Sequence, residues 1–161
     1  MGKAVQPINT PNITTYFAPA DDNRETRMYY RAASIAAVDD GTMMAIDVSG
    51  SSPTGYIVIA PTTNANGKNF VGILQQAIAT TDTDYATAHF VPVRAPKTKE
   101  AKMYFTVGSG TFTQADVGRV CALYSDSKSV AVDSNGLGVI IDSYIDATHG
   151  ICHFAPDTVT S

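Results

Sequence analysis

From Tyr29 onward, short apolar runs alternate with clusters of turn-forming residues. "YYRAASIAAV" and "TMMAIDV" flank "DDG"; "GYIVIA", "FVGILQQAIA" and "YATAHFVPV" follow; beyond "RAPKTKEAK" come "KMYFTV", "RVCALY", "SVAV", "LGVIIDSYI" and "GICHF". Their lengths suit strands, and the "GSG", "SDSK", "DSNG" and "DATHG" between them suit tight turns. Gln75 to Ala79 alone has local helix propensity, with Thr and Gly nearby working against it. Many short strands at close spacing predict an all-β fold, a sandwich or small barrel.

Residues 1–27 break the pattern. Pro7, Pro11 and Pro19 and the polar run "ADDNRET" leave little room for regular pairing, yet Ile8, Ile13, Tyr16 and Phe17 are apolar. The reading is an extended N-terminal arm that orders on a partner through those four side chains. The folded domain is then 28–161.

An internal repeat is legible in that domain. "GYIVIA" at Gly55 matches "GRVCAL" at Gly118, "FVGILQQ" around Gly72 matches "LGVIIDS" around Gly138, and "AHFVPV" with His89 matches "CHFAPD" with His153. The order is the same and the offsets run from 63 to 66 residues, giving two similar β units at about 41–93 and 104–157. The repeat bears on "GICHFAP", where His149, Cys152 and His153 crowd together like metal ligands. Ala88 stands where Cys152 would recur, and two His four residues apart on a strand are separated by roughly 13 Å. His89 and His153 are therefore read as strand residues near the end of each unit, each followed by an aromatic and a pairing-ending Pro, and not as zinc ligands.

Composition narrows the function. Glu occurs only at Glu25 and Glu100 and Leu only at Leu74, Leu123 and Leu137, while Thr, Ser, Ala, Gly and Val are plentiful, which favours strands and turns. Net charge is −4 with 16% charged residues, so there is no basic footprint for nucleic acid, and the basic stretch Arg94 to Lys102 reads as a solvated loop. No apolar run is long enough to span a bilayer as a helix. The N-terminus lacks the apolar segment of a secretory signal. Cys121 and Cys152 are then expected as reduced, buried thiols of a chain made in a cytoplasm.

Candidate chemistry is thin. "GVIIDSY", with Asp142 and Tyr144, is similar to a signature of trimeric dUTPases, but the spacing of Asp and Tyr differs by one and no partner motif accompanies it. "GSGTFTQ" lacks the Lys-Ser/Thr of a phosphate loop and reads as an inter-strand turn. The acid pairs Asp21–Asp22, Asp39–Asp40 and Asp82–Asp84 fall in turns or the arm. With three His, two of them absorbed by the repeat, no Ser-His-Asp set is assembled. The expectation is a protein without catalytic residues, metal or cofactor.

One segment carries a family resemblance. "FTQADVGRVCALYSDSKSVAVDSNGLGVIIDSYIDATHGICHF", Phe112 to Phe154, resembles a stretch recurrent in capsid decoration (cement) proteins of tailed bacteriophages. Thr113, Ala115, Asp116, Val117, Gly118 and Arg119 fill its first part, and Gly138 and Val139 its second. The resemblance implies a small β-barrel or β-tulip domain that forms a homotrimer on the exterior of the virion. There it would bridge neighbouring major capsid protein subunits, with an N-terminal arm as a common device. Independently of the resemblance, Asp116 is expected to bond a backbone N–H two residues on, Gly118 to permit positive φ, and Val117 and Val120 to anchor the core. The rival class is a head- or tail-fibre module that recognises host carbohydrate, which exposed aromatic clusters on loop tips would favour.

Overall fold

The computed structural model describes residues 17–49, 52–61, 70–98, 100–136 and 138–155. Eleven strands make up the described fold: β1 (Ala18–Pro19), β2 (Arg24–Arg31), β3 (Met43–Ser49), β4 (Ser52–Ile59), β5 (Phe70–Leu74), β6 (His89–Pro96), β7 (Met103–Ser109), β8 (Val120–Leu123), β9 (Val130–Asn135), β10 (Val139–Asp146) and β11 (His149–Phe154). One 3-10 turn, Gln114–Asp116, precedes β8. The protein is all-β.

The strands close into two rings of identical connectivity. In the first, β2 pairs antiparallel with β6, β6 with β5, β5 with β3 and β3 with β4, and a parallel β4–β2 contact at Arg31 and Ile57 completes the circuit. In the second, β7 pairs with β11, β11 with β10, β10 with β8 and β8 with β9, and a parallel β9–β7 contact closes it. Each ring therefore runs first, last, fourth, second, third, first. Closure removes the open edges that would otherwise recruit other chains.

Alternation along β3, together with a bulge in β5 at Val71 and Gly72, divides the buried side chains between two cores. On β3 and β5, Met44, Val71 and Leu74 fill the interior of the first ring together with Ile57, Val91 and Val93. Their neighbours Met43, Ala45, Phe70 and Ile73 join Phe105, Leu123, Val130, Ile141 and Phe154 in a core shared with the second ring. This explains why "FVGIL" is apolar at successive positions: both faces of β5 are covered. Polar contacts pin the same junction. Met43 N–H donates to the Ser127 carbonyl at 2.8 Å, and Ser127 Oγ donates to the Ala60 carbonyl at 2.6 Å.

Several expectations are corrected here. The domain begins before residue 28: β1 pairs with β7 through Ala18 and Tyr104, β2 starts at Arg24, and the first unit spans Arg24 to Pro96. Phe17, expected as a partner anchor, is 3% exposed inside the shared core. Ile8, Ile13 and Tyr16 lie outside the described residues.

The repeat is real in topology but only partly in the alignment drawn from sequence. β5 and β6 do correspond to β10 and β11, whereas β4 corresponds to β9 and not to the strand carrying "GRVCAL", which takes the place of β3. His89 opens β6 while His153 sits near the end of β11, so the two His are not equivalent. Pro92 does not end pairing either. It lies within β6 opposite Met28, and its carbonyl accepts from Gln75 N–H at 3.0 Å.

Candidate functional site

Adjacent strands of the first ring build an aromatic face. Pairing sets Tyr30 opposite Phe90 and Met28 opposite Pro92, and the β2–β4 contact at Arg31 and Ile57 brings Tyr56 alongside. Alternation sends Tyr29, Val91 and Val93 inward, so Met28 and Phe90 point to solvent, 54% and 59% exposed. Tyr30 organises the cluster. Its ring lies 4.8 Å from Phe90 in an edge contact and 5.9 Å from Tyr56 in a stacked one, and its hydroxyl donates to the Ala88 carbonyl.

Phe90 also stands at the lip of a groove of about 510 Å³, lined by Gln76, Ala77, Ile78, Thr81 to Asp84, and His89 to Val91. Its far wall is the segment after β5, tied down by the Val38–Ile78 bridge. Arg31, fully buried, holds that segment from behind. Its guanidinium donates to the carbonyls of Ala32 (2.8 Å), Tyr85 (3.2 Å) and Asp84 (3.2 Å) and lies over the Tyr85 ring. Inside the groove His89 Nε2 is 3.0 Å from an Asp84 carboxylate oxygen, and its Nδ1 faces the Thr87 carbonyl at 2.9 Å. The Asp82 carboxylate accepts from Ala79 N–H at 2.8 Å.

The other two histidines also meet carboxylates. His153 Nδ1 lies 2.7 Å from Asp142, whose second oxygen meets Lys102 Nζ at 2.8 Å. The register of β10 shifts between Ile141 and Ser143, and this bulge at Asp142 re-aims its side chain. His149 Nδ1 lies 3.0 Å from Asp146 and 2.9 Å from Thr148 Oγ1. A Thr-His-Asp relay needs the hydroxyl on one ring nitrogen and the carboxylate on the other; here both meet Nδ1, so the cluster is a turn device. Burial works to raise the Asp146 carboxyl, and the Thr148 backbone N–H with the His149 and Thr148 side chains outweighs it, leaving the group below its ordinary value. Tyr144, paired with Asp142 in the dUTPase-like reading, packs its ring 5.1 Å from Phe112 against the shared core.

The second-unit motif residues are structural. Asp116 reaches back three residues, not two forward: its carboxylate accepts the Thr113 N–H at 2.8 Å and the Thr113 hydroxyl at 3.1 Å, forming a capping box around the 3-10 turn. That N–H holds the Asp116 carboxyl below its ordinary value. Gly118 adopts φ +92, as expected, and a Cβ there would meet nothing, so conformation and not space selects glycine. Gly138 is the opposite case, since its Cβ would fall 2.3 Å from the Cys121 carbonyl. Val117 and Val120 do not anchor the core. Both are 36% exposed, and Cys121 and Leu123 take that role on β8.

The structure thus gathers His89 with Asp84 and Phe90, and leaves His153, Thr113, Asp116, Gly118 and Gly138 elsewhere, in the second unit. Met28, Tyr30, Tyr56 and Phe90 escaped the sequence reading. The alternation in "RMYYR" is their signal, for it puts Met28 and Tyr30 on one face and Tyr29 and Arg31 on the other. Among the described residues no group of three or more His, Cys, Asp or Glu is placed to hold a metal ion. No protein-family model matches the chain, and neither a curated protein nor a solved structure matches it.

Proposed function

We propose that the chain is a capsid decoration protein of a tailed bacteriophage, a homotrimer on the exterior of the virion that bridges neighbouring major capsid protein subunits and stabilises the head. One observation carries the reading. The segment Phe112 to Phe154, on which the resemblance rests, is a coherent structural piece: the 3-10 turn with β8 to β11, four of the five strands of the second ring. The core shared by the two rings adds to this, because a clamp between subunits has to be stiff.

Attachment is assigned to residues 1–16, with Ile8, Ile13 and Tyr16 as apolar anchors; Phe17 in the core and β1 on β7 fix where that segment joins the body. Burying three such side chains is worth about 5–9 kcal/mol gross. Ordering the segment offsets much of that, at about 1 kcal/mol or more per residue. Three linked copies would turn a weak single grip into a firm one.

The test is co-sedimentation of the purified chain with shells assembled from the phage's major capsid protein, alongside sedimentation velocity of the chain alone. Saturable binding by a trimer, with lower occupancy after deletion of residues 1–16, is the expected result. Full-length protein that stays in the supernatant at every shell concentration would sink the proposal.

A further inference from the structure

We infer that the groove beside Phe90 is a binding site for a neutral carbohydrate, with the exposed Phe90 ring as the platform for a pyranose face and the groove side chains as the partners of its hydroxyls. The two halves of such a site are both on hand. Phe90 is 59% exposed and lines the groove directly, and the edge contact with Tyr30 fixes its orientation before any ligand arrives. A rigid ring presented this way loses little entropy when a flat, weakly polar surface covers it.

The polar half is suited to hydroxyls. Asp82 and Asp84 supply carboxylate acceptors: one oxygen of each is engaged, by Ala79 N–H and by His89 Nε2, and the other is placed to accept a sugar O–H. Gln76, Thr81 and Thr83 line the groove with amide and hydroxyl groups that make no side-chain hydrogen bond among the described residues. A purely apolar protein partner on the rings would bury these groups without satisfying them, which is costly. Two carboxylates among the lining residues also disfavour an anionic ligand, because no Lys or Arg is among the described residues that line the groove, and the Arg31 guanidinium is directed at backbone carbonyls. A ligand with both an apolar ring face and a rim of neutral donors fits the whole site. This inference stands apart from capsid attachment, which is assigned to residues 1–16.

The experiment is saturation-transfer difference NMR on the full-length chain with maltohexaose, chitohexaose and a mannan-derived hexasaccharide as probes, each at millimolar concentration. Transfer concentrated on ring C–H protons is expected for at least one probe. Phe90→Ala should abolish it and Asp84→Asn should weaken binding about tenfold or more, while Val120→Ser, on the second ring, should bind as the native chain does. Melting curves of each variant confirm the fold, and Gln76→Ala gives a second, structurally mild probe of the polar wall that is expected to weaken transfer. Absence of transfer from all three sugars overturns the inference, as does transfer that survives Phe90→Ala. A change of oligomeric state in Phe90→Ala without any sugar binding also overturns it and makes the face a self-association surface.

Discussion

Ser127 is the residue through which the two rings can be uncoupled most cleanly. It is buried, sits at φ +54, and bonds three ways: its N–H to the Tyr124 carbonyl, its carbonyl from Met43 N–H, and its hydroxyl to the Ala60 carbonyl at 2.6 Å. Ser127→Ala keeps the backbone bonds and takes a donor from a carbonyl on a residue that is itself 1% exposed. The expected cost is about 1–3 kcal/mol, the penalty of leaving a buried acceptor short of its donor. For a chain of this size that lowers Tm by about 3–10 °C. Ser127→Gly loses the same bond but relieves the left-handed backbone, worth roughly 1 kcal/mol, and should melt about 2–4 °C above the Ala variant. Thermal unfolding followed by far-UV and near-UV circular dichroism reads both. A single transition is expected in the native chain, since Met43 and Phe70 of one ring and Phe105 and Phe154 of the other share a core. Native-like melting of Ser127→Ala, or a Gly variant no more stable than the Ala one, would refute the reasoning.

Deleting residues 1–16 should leave Tm nearly unchanged, whereas deleting 1–19 removes Phe17 and β1 and should lower it markedly, consistent with the ~3–5 kcal/mol of a buried Phe, as a melting comparison will show. Both thiols should resist a thiol reagent at pH 8 until denaturant is added, because burial pushes Cys121 up to about 11 and Cys152 well above its ordinary value; rapid labelling of the native chain would contradict this. Asp116 is held below its ordinary 3.8, so its contribution is present above that pH and is lost as pH falls through the lowered value. Asp116→Asn should therefore lower Tm slightly at pH 6 and flatten the fall in Tm between pH 5 and 2, an effect kept small by solvent at this surface turn.

The all-β class was legible in the sequence because a strand announces itself locally: short apolar runs, β-branched residues and Gly- or Asp-rich turns need no distant partner to be read. The existence of two similar units was legible for the same reason, since "FVGIL" is β5 and "VIID" opens β10, the strands that occupy the same place in each ring. The exact equivalences were not. "GYIVIA" and "GRVCAL" are alike in local pattern, yet one is the third strand of its unit and the other the second, and the ring pairings give them different neighbours: β3 and β2 for β4, β10 and β9 for β8. Phe17 looked like an anchor for a partner because prolines surround it, yet the short β1–β7 pairing, Ala18 with Tyr104 and Pro19 with Met103, turns it into the chain's own core. The candidate site has the same origin. Met28 and Tyr30 alternate as any half-buried strand would, and only the pairing of β2 with β6 and β4 gathers Tyr30, Phe90 and Tyr56, far apart in the chain, onto one solvent-facing surface. Likewise Arg31 is an ordinary polar residue in sequence, and only its burial against the carbonyls of Asp84 and Tyr85 makes it the support of the groove wall. Local periodicity determines the strand, but which strands become neighbours is a long-range packing decision, and here that decision builds the site.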